Sequence, residues 1–345
     1  LNYRLQRELG DSQQALSLIK ANFGNEKTLK SQLLYASALL SEQKYTQVIR
    51  VLSDDIEKQS LPDDYWMMLA TSYKANNQKE KSILTYDNWI KSNPRSLPAR
   101  LQKIDFQEKN ENFEGALKSI NQAISQFQNN TKLRIIQAHL LVLNKRTKEA
   151  REIIESLGET DKVLPFTQAI QGKILFTGGQ YKKALLKLLK GYEVLVNANM
   201  ATLIYLSYNS LGSQELGFDF LEKHLFKKPE AIRVRVLLAD QYLHVKPELS
   251  IKHYEIIVDK AKRNIPALNN LAWLYLQKNK LDLADKHAQM ALSLAPNIPE
   301  VLDTAGEIKM AQGNKAQALI YFKKAVELSE NNLEIKAKYD KALAM

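Results

Sequence analysis

Apolar and polar residues recur along this chain with the step of a helix rather than that of a strand. Two series of small residues keep time with them. The first is Ala15, Val48, Ser82, Ala116, Ala150, Ala184, Gly217, Ser250, Ala284 and Ala318, spaced by 33 or 34 residues. The second is Ala36, Ala70, Ile104, Ala138, Gly172, Tyr205, Ala239, Ala272 and Gly306, at the same spacing and each 11 or 12 residues before a member of the first. Large apolar residues follow each series. Leu39, Tyr73, Leu141, Leu175, Tyr208, Tyr242 and Tyr275 come three places after members of the second. Ile19, Leu52, Tyr86, Ile120, Ile154, Leu188, Leu221, Tyr254 and Phe322 come four places after members of the first. Few segments show the period of two that a half-buried strand requires, so no sheet is expected.

Steps of three and four keep residues on one helix face, and two antiparallel helices approach to about 8–10 Å only where small side chains meet at the crossing. The pattern therefore predicts helix pairs, with the second series on the first helix of each pair and the first series on the second. Gly10, Asn77, Gly179, Gly212, Asn279 and Gly313 fall between the helices of a pair, where a left-handed residue closes a helix. Pro94, Pro229 and Pro296 fall near the end of a pair, where proline stops one helix before the next begins.

This arrangement resembles the tetratricopeptide repeat, a helix-turn-helix unit of 34 residues, here in residues 265–298 through Leu271, Ala272, Tyr275, Ala284, Ala291 and Pro296. Residues 299–332 match through Leu302, Gly306, Gly313, Ala318, Phe322 and Ala325, and residues 63–96 through Trp66, Leu69, Ala70, Tyr73 and Pro94. Repeats 97–130 and 131–164 depart most, since Lys103 and Gln137 stand at a normally apolar position. The resemblance implies an all-α fold, a right-handed superhelical α-solenoid. The phasing reads as a truncated repeat over 1–28 and nine repeats over 29–332. Their bounds are 29–62, 63–96, 97–130, 131–164, 165–197, 198–231, 232–264, 265–298 and 299–332. Residues 333–345 form a polar capping helix with Lys336, Lys338, Asp340 and Lys341. The chain begins at Leu1 inside a repeat and reads as part of a longer protein.

Charge changes this picture little. The net charge of +11 divides as +2 for residues 1–96, +6 for 97–197 and +3 for 198–345, always mixed with acidic residues. A nucleic-acid binder concentrates its basic residues in a stripe, so nucleic acid is disfavoured as a partner. The sequence has no Cys, which removes disulfides, thiolate metal sites and cysteine nucleophiles together. No run of about 18 apolar residues exists to span a membrane.

The chemistry of an enzyme is missing. His139, His224, His244, His253 and His287 form no metal-binding pair and read as helix-surface residues. Gly178 and Gly179 before Lys182 and Lys183 lack the spacing of a phosphate loop and fall on a turn between paired helices. Asp54, Asp55, Asp63 and Asp64 lie at repeat junctions, where a carboxylate favours a helix N-terminus. No catalytic residue, metal or cofactor is expected. Lys183, Lys187 and Lys190 form a basic stripe on the face away from Ala184, Leu188 and Gly191; it reads as a solvated outer face, with contact to anionic polymer or lipid headgroups as the alternative.

By resemblance to the family, the first helix of each pair lines an inner groove through its second, fifth, ninth and twelfth positions. The groove residues so assigned are Phe166, Lys173, Phe176, Leu206, Asn209, Arg233, Asp240, Leu243, Asn269, Trp273 and Leu276. Trp66 and Trp89 take packing positions, whereas Trp273 either faces the groove as an interaction hot spot or leans half-buried on the neighbouring repeat. Capture of a C-terminal carboxylate, a function of some family members, is not expected, because Asn269 stands where the first lysine of that set would be and Trp273 where the asparagine would be.

These residues imply a non-catalytic scaffold that binds a partner protein or peptide. The stretches 269–277 and 301–328 resemble bacterial cell-envelope tetratricopeptide proteins, including those of exopolysaccharide export and the PEP-CTERM/exosortase system. That resemblance implies a periplasmic or envelope location, with the cytoplasm as the alternative. A solenoid binding polysaccharide or another polyanion is the alternative function, and an enzyme subunit with its catalytic domain outside this sequence is a third. Exposed end repeats also allow homodimers.

Overall fold

The computed structural model describes residues 12–25, 28–53, 61–330 and 332–345. Gly10, Asp54, Asp55 and the side chain of Ala15 lie outside the described residues. Among those described, all regular structure is helical and there is no strand. The chain divides into two compact units, Leu1–Ile174 and Leu175–Met345.

In the first unit, α1 (Ser12–Asn25) precedes four helix pairs. These are α2 (Leu29–Ser41) with α3 (Tyr45–Leu52), and α4 (Asp63–Ala75) with α5 (Lys79–Ser92). They continue with α6 (Leu97–Lys109) and α7 (Phe113–Gln126), then α8 (Thr131–Leu143) and α9 (Thr147–Glu155). A single turn, α10 (Glu159–Lys162), leads into α11 (Pro165–Thr177), within which the first unit ends. The second unit continues with α12 (Tyr181–Tyr192), α13 (Ala198–Ser210), α14 (Gln214–Lys227), α15 (Ile232–Val245) and α16 (Pro247–Lys260). It ends with α17 (Ile265–Gln277), α18 (Leu281–Leu294), α19 (Pro299–Ala311), α20 (Lys315–Leu328) and α21 (Leu333–Ala344).

Both small-residue series lie inside. Val48, Ser82, Ala116, Ala150, Ala184, Ser250, Ala284 and Ala318 are fully buried, and Gly217 is buried with them. All members of the second series are buried as well. Glycine marks the tightest crossings. A Cβ at Gly306 on α19 would stand 2.6 Å from Cε1 of Phe322 on α20. One at Gly217 on α14 would stand 2.9 Å from Cδ2 of Tyr205 on α13. Trp66 and Trp89 are buried, as their packing positions require.

Local chemistry starts and stops the helices. Thr28 and Ser31 form a reciprocal capping box at α2. Asn130, Asn197 and Asn264 accept a backbone N–H three residues on, opening α8, α13 and α17. Between paired helices, Asn77, Gly179, Gly212, Asn279 and Gly313 take φ between 54° and 77°. Gln43, Glu111 and Lys145 take the same conformation with φ of 56°, 59° and 61°. The packing of the two helices dictates the turn, and these side chains accept the strain of a left-handed backbone.

Asp63, at the start of α4, ties the two ends of its own repeat together. One carboxylate oxygen accepts from Trp89 Nε1 at 2.6 Å and from Asn93 Nδ2 at 2.7 Å, and the other from Ser96 Oγ at 2.8 Å. Three histidines depart from the surface reading. His139, His224 and His253 are buried, because neighbouring repeats supply each with a partner. His139 Nε2 meets Glu108 Oε1 at 2.9 Å, Tyr192 Oη meets His224 Nδ1 at 2.6 Å, and His253 Nε2 meets Glu222 Oε1 at 3.1 Å. Burial holds the His224 imidazole below the usual histidine range.

Candidate functional site

In the first unit, two of the assigned wall residues join a polar cluster. Phe166 lies against His139, with ring centroids 5.3 Å apart. Lys173, half-buried two turns further along α11, has its pKa lowered by burial, with the Glu108 carboxylate pulling it back up. Glu108 is in turn held below the ordinary carboxylate range, chiefly by its hydrogen bond to His139. The cluster brings together a carboxylate, an imidazole and an ammonium from three successive first helices, with His139 Nδ1 buried and without a hydrogen-bond partner.

In the second unit, the wall is built on the first helices α13, α15, α17 and α19. Phe176, just before it, is half-buried with its ring 5.4 Å from that of Tyr181. On α13, Leu206 is half-buried and Asn209 exposed. On α15, Arg233 and Asp240 are exposed, and Asp240 accepts a hydrogen bond from Tyr254. Tyr254 accepts from Asn270 Nδ2 at 2.8 Å, so a polar chain runs from α15 through α16 to α17. On α17, Asn269, Trp273 and Leu276 are all half-buried.

Leu243, Trp273 and Leu276, with Val236, all pack on the same apolar core, a buried cluster that includes Leu268, Leu271 and Ala272. Trp273 leans edge-on against His244, with ring centroids 5.6 Å apart and planes at 75°, and its ring keeps partial solvent access. His244 was not among the assigned residues, since it stands one place past the twelfth position of its repeat. Asn269 Oδ1 is buried without a hydrogen-bond partner. An oxygen in that state gains from any donor that reaches it.

The last repeat closes the wall differently. Lys338 on α21 bonds Asp303 Oδ2 at 2.6 Å and Glu307 Oε1 at 3.0 Å. The capping helix therefore pairs two of the acids of α19, while Glu300 stays exposed. The basic stripe of α12 points outward as expected at Lys183 and Lys190, while Lys187 is half-buried. Among the described residues, no three His, Cys, Asp or Glu side chains gather as metal ligands, and no helix is long and apolar enough to cross a membrane.

The family model "Tetratricopeptide repeat" matches residues 265–298 and 299–332. The chain carries tetratricopeptide repeats, and its all-helical paired fold is that of a tetratricopeptide-repeat protein. A search of curated proteins finds no match. Among solved structures, it is similar to MamA AMB-1 at 24% identity, covering 48% of this chain and 92% of that chain with a TM-score of 0.42. MamA MSR-1 is similar at 24% identity over 48% and 97% with a TM-score of 0.41. Another crystal structure of MamA protein is similar at 19% identity over 51% and 94% with a TM-score of 0.43.

Proposed function

We propose that this chain is a non-catalytic scaffold that holds a segment of a partner protein against the first-helix wall of its second unit, at Trp273. The observation that carries the reading is the half-buried indole of Trp273, seated edge-on against His244 and packed, like Leu243, Leu276 and Val236, on one apolar cluster. The exposed Arg233 and Asp240 supply charges of both signs at the rim. We further place the scaffold in a bacterial cell envelope, on the resemblance of residues 269–277 and 301–328. Fractionation of cells that express it tests that placement; recovery with cytosolic markers refutes it.

Trp273→Ala tests the binding role. Loss of partner binding with the melting temperature unchanged is the expected result. A drop in melting temperature with binding retained assigns Trp273 to the core instead. The polysaccharide alternative needs a row of aromatic platforms, yet the four wall positions of α15, α17 and α19 present no second Trp or Tyr. Polysaccharide binding that disappears in high salt would favour that alternative over the protein partner.

A further inference from the structure

We propose that the outer face formed by α12 and α14 docks on a bilayer surface bearing anionic lipid headgroups, with Phe226 entering the headgroup layer. The helix α12 carries Lys182, Lys183, Lys187 and Lys190 and no acidic residue. Its outward line pairs exposed Lys183 and Lys190 with Leu186, which is 61% exposed. The helix α14 lies beside it. Tyr192 at the end of α12 contacts Phe220 at 4.9 Å between centroids and bonds His224, and Lys227 Nζ stands 5.9 Å from the Tyr192 ring. The C-terminal ends of the two helices are therefore level.

At that level stands Phe226, 90% exposed, with Lys223, Lys227 and Lys228 around it in the sequence and all exposed. A ring so exposed buries almost no apolar area in the free chain, so covering it stabilises whatever complex this face makes. Two of the acids on α14 are engaged elsewhere: Glu215 binds Lys246 at 2.5 Å, and Glu222 binds His253. Asp219, Glu193 and Glu230 remain as exposed counter-charges.

The chemistry selects a bilayer among anionic partners. Lysines reach the headgroups while a single projecting ring and a leucine enter the layer between them, which is how a peripheral protein holds an anionic membrane without spanning it. A nucleic acid would use the lysines and leave Phe226 without a role on this face. An acidic protein would need a pocket shaped to the lone ring.

Co-sedimentation of the full chain with vesicles of phosphatidylcholine, with and without phosphatidylglycerol, tests this. Binding to the phosphatidylglycerol vesicles alone is expected. Replacing Lys183, Lys190 and Lys223 together with Gln should lower partitioning about 100-fold, since each lysine near an anionic surface contributes about fivefold. Phe226→Ser, which leaves every charge in place, should lower it about tenfold. All four positions are exposed, and unchanged circular dichroism will establish that the variants fold. Absence of binding to the anionic vesicles overturns the proposal. So does an equal loss when the exposed lysines Lys118, Lys132 and Lys148 are replaced instead. Indifference to Phe226→Ser, with duplex DNA bound through the same lysines, would also overturn it by assigning the face to nucleic acid.

Discussion

Gly306→Ala is the sharpest perturbation of the helix crossings. Alanine suits a helix interior better than glycine by about 1 kcal/mol, and a buried methyl group contributes about 0.8 kcal/mol more. On an open helix face the change would therefore stabilise. At this crossing the new Cβ would lie 2.6, 2.7 and 2.9 Å from Cε1, Cδ1 and Cζ of Phe322. Carbon atoms in contact sit about 3.5–4.0 Å apart, so the ring must retreat by roughly 1 Å. Phe322 has little room to do so: it is 2% exposed and packed with Ala318, Ala342, Met310 and Tyr339. Overpacking of this kind costs about 1–3 kcal/mol, and with a rigid ring as the obstacle we place it at the upper end. A net loss of about 1 kcal/mol is expected in urea denaturation of the full chain followed by circular dichroism. Gly24→Ala on α1 is the control, since nothing lies within 4 Å of the place its new methyl group would take, and it should stabilise by about 0.5–1 kcal/mol. In a Phe322→Leu background, Gly306→Ala should become neutral or stabilising. If Gly306→Ala stabilises the wild-type chain as Gly24→Ala does, the close-approach reasoning is wrong.

Other predictions follow from the same structure. Asp63→Asn should lower stability at pH 7 by about 1–2 kcal/mol, through weakened hydrogen bonds from Trp89, Asn93 and Ser96. Burial raises the Asp63 pKa, but those hydrogen bonds outweigh it and hold it below 3.8. Its ionised form therefore supports the fold above pH 3.8, and this support is lost as pH falls through the lower folded value. The difference between wild type and Asp63→Asn should shrink in urea titrations taken from pH 7 into that acid range. Lys145→Gly should stabilise the first unit by about 1 kcal/mol by relieving the left-handed strain, read as a higher urea midpoint. Gly212→Ala, at a turn with φ of 71°, should shift the midpoint the other way.

The crossings were legible in the sequence because close packing leaves little choice of residue. Ala150, Ala184 and Ala284 had to be small, and each is fully buried. Turns at Gly179, Gly212 and Gly313 were legible for the same reason, since glycine relieves a left-handed backbone. Those at Gln43, Glu111 and Lys145 were not, because packing on either side of the turn overrides the preference of the residue in it. The polar interior was hidden too. Glu108 and His139 stand 31 residues apart, and only the stacking of repeats joins them. Buried histidines look like surface histidines until such a partner is placed beside them. Repeat phase put Trp273 on a first helix and left open whether it faces the groove or leans on the neighbouring repeat. Its support by His244, the unmet oxygen of Asn269 and the pairing of Lys338 with Asp303 and Glu307 depend on side-chain reach between repeats, which phase does not specify.

The claim that the first-helix wall of the second unit receives a partner is tested most directly by photo-crosslinking. A photoreactive phenylalanine analogue is placed at position 243, 276 or 269 of the full chain, or at the outer positions 256 and 283 for comparison, in cells that make the protein. The wall positions should each give the same discrete adduct, and that adduct should vanish when Trp273→Ala is added. Adducts from the outer positions alone, or a wall adduct indifferent to Trp273→Ala, would contradict the account.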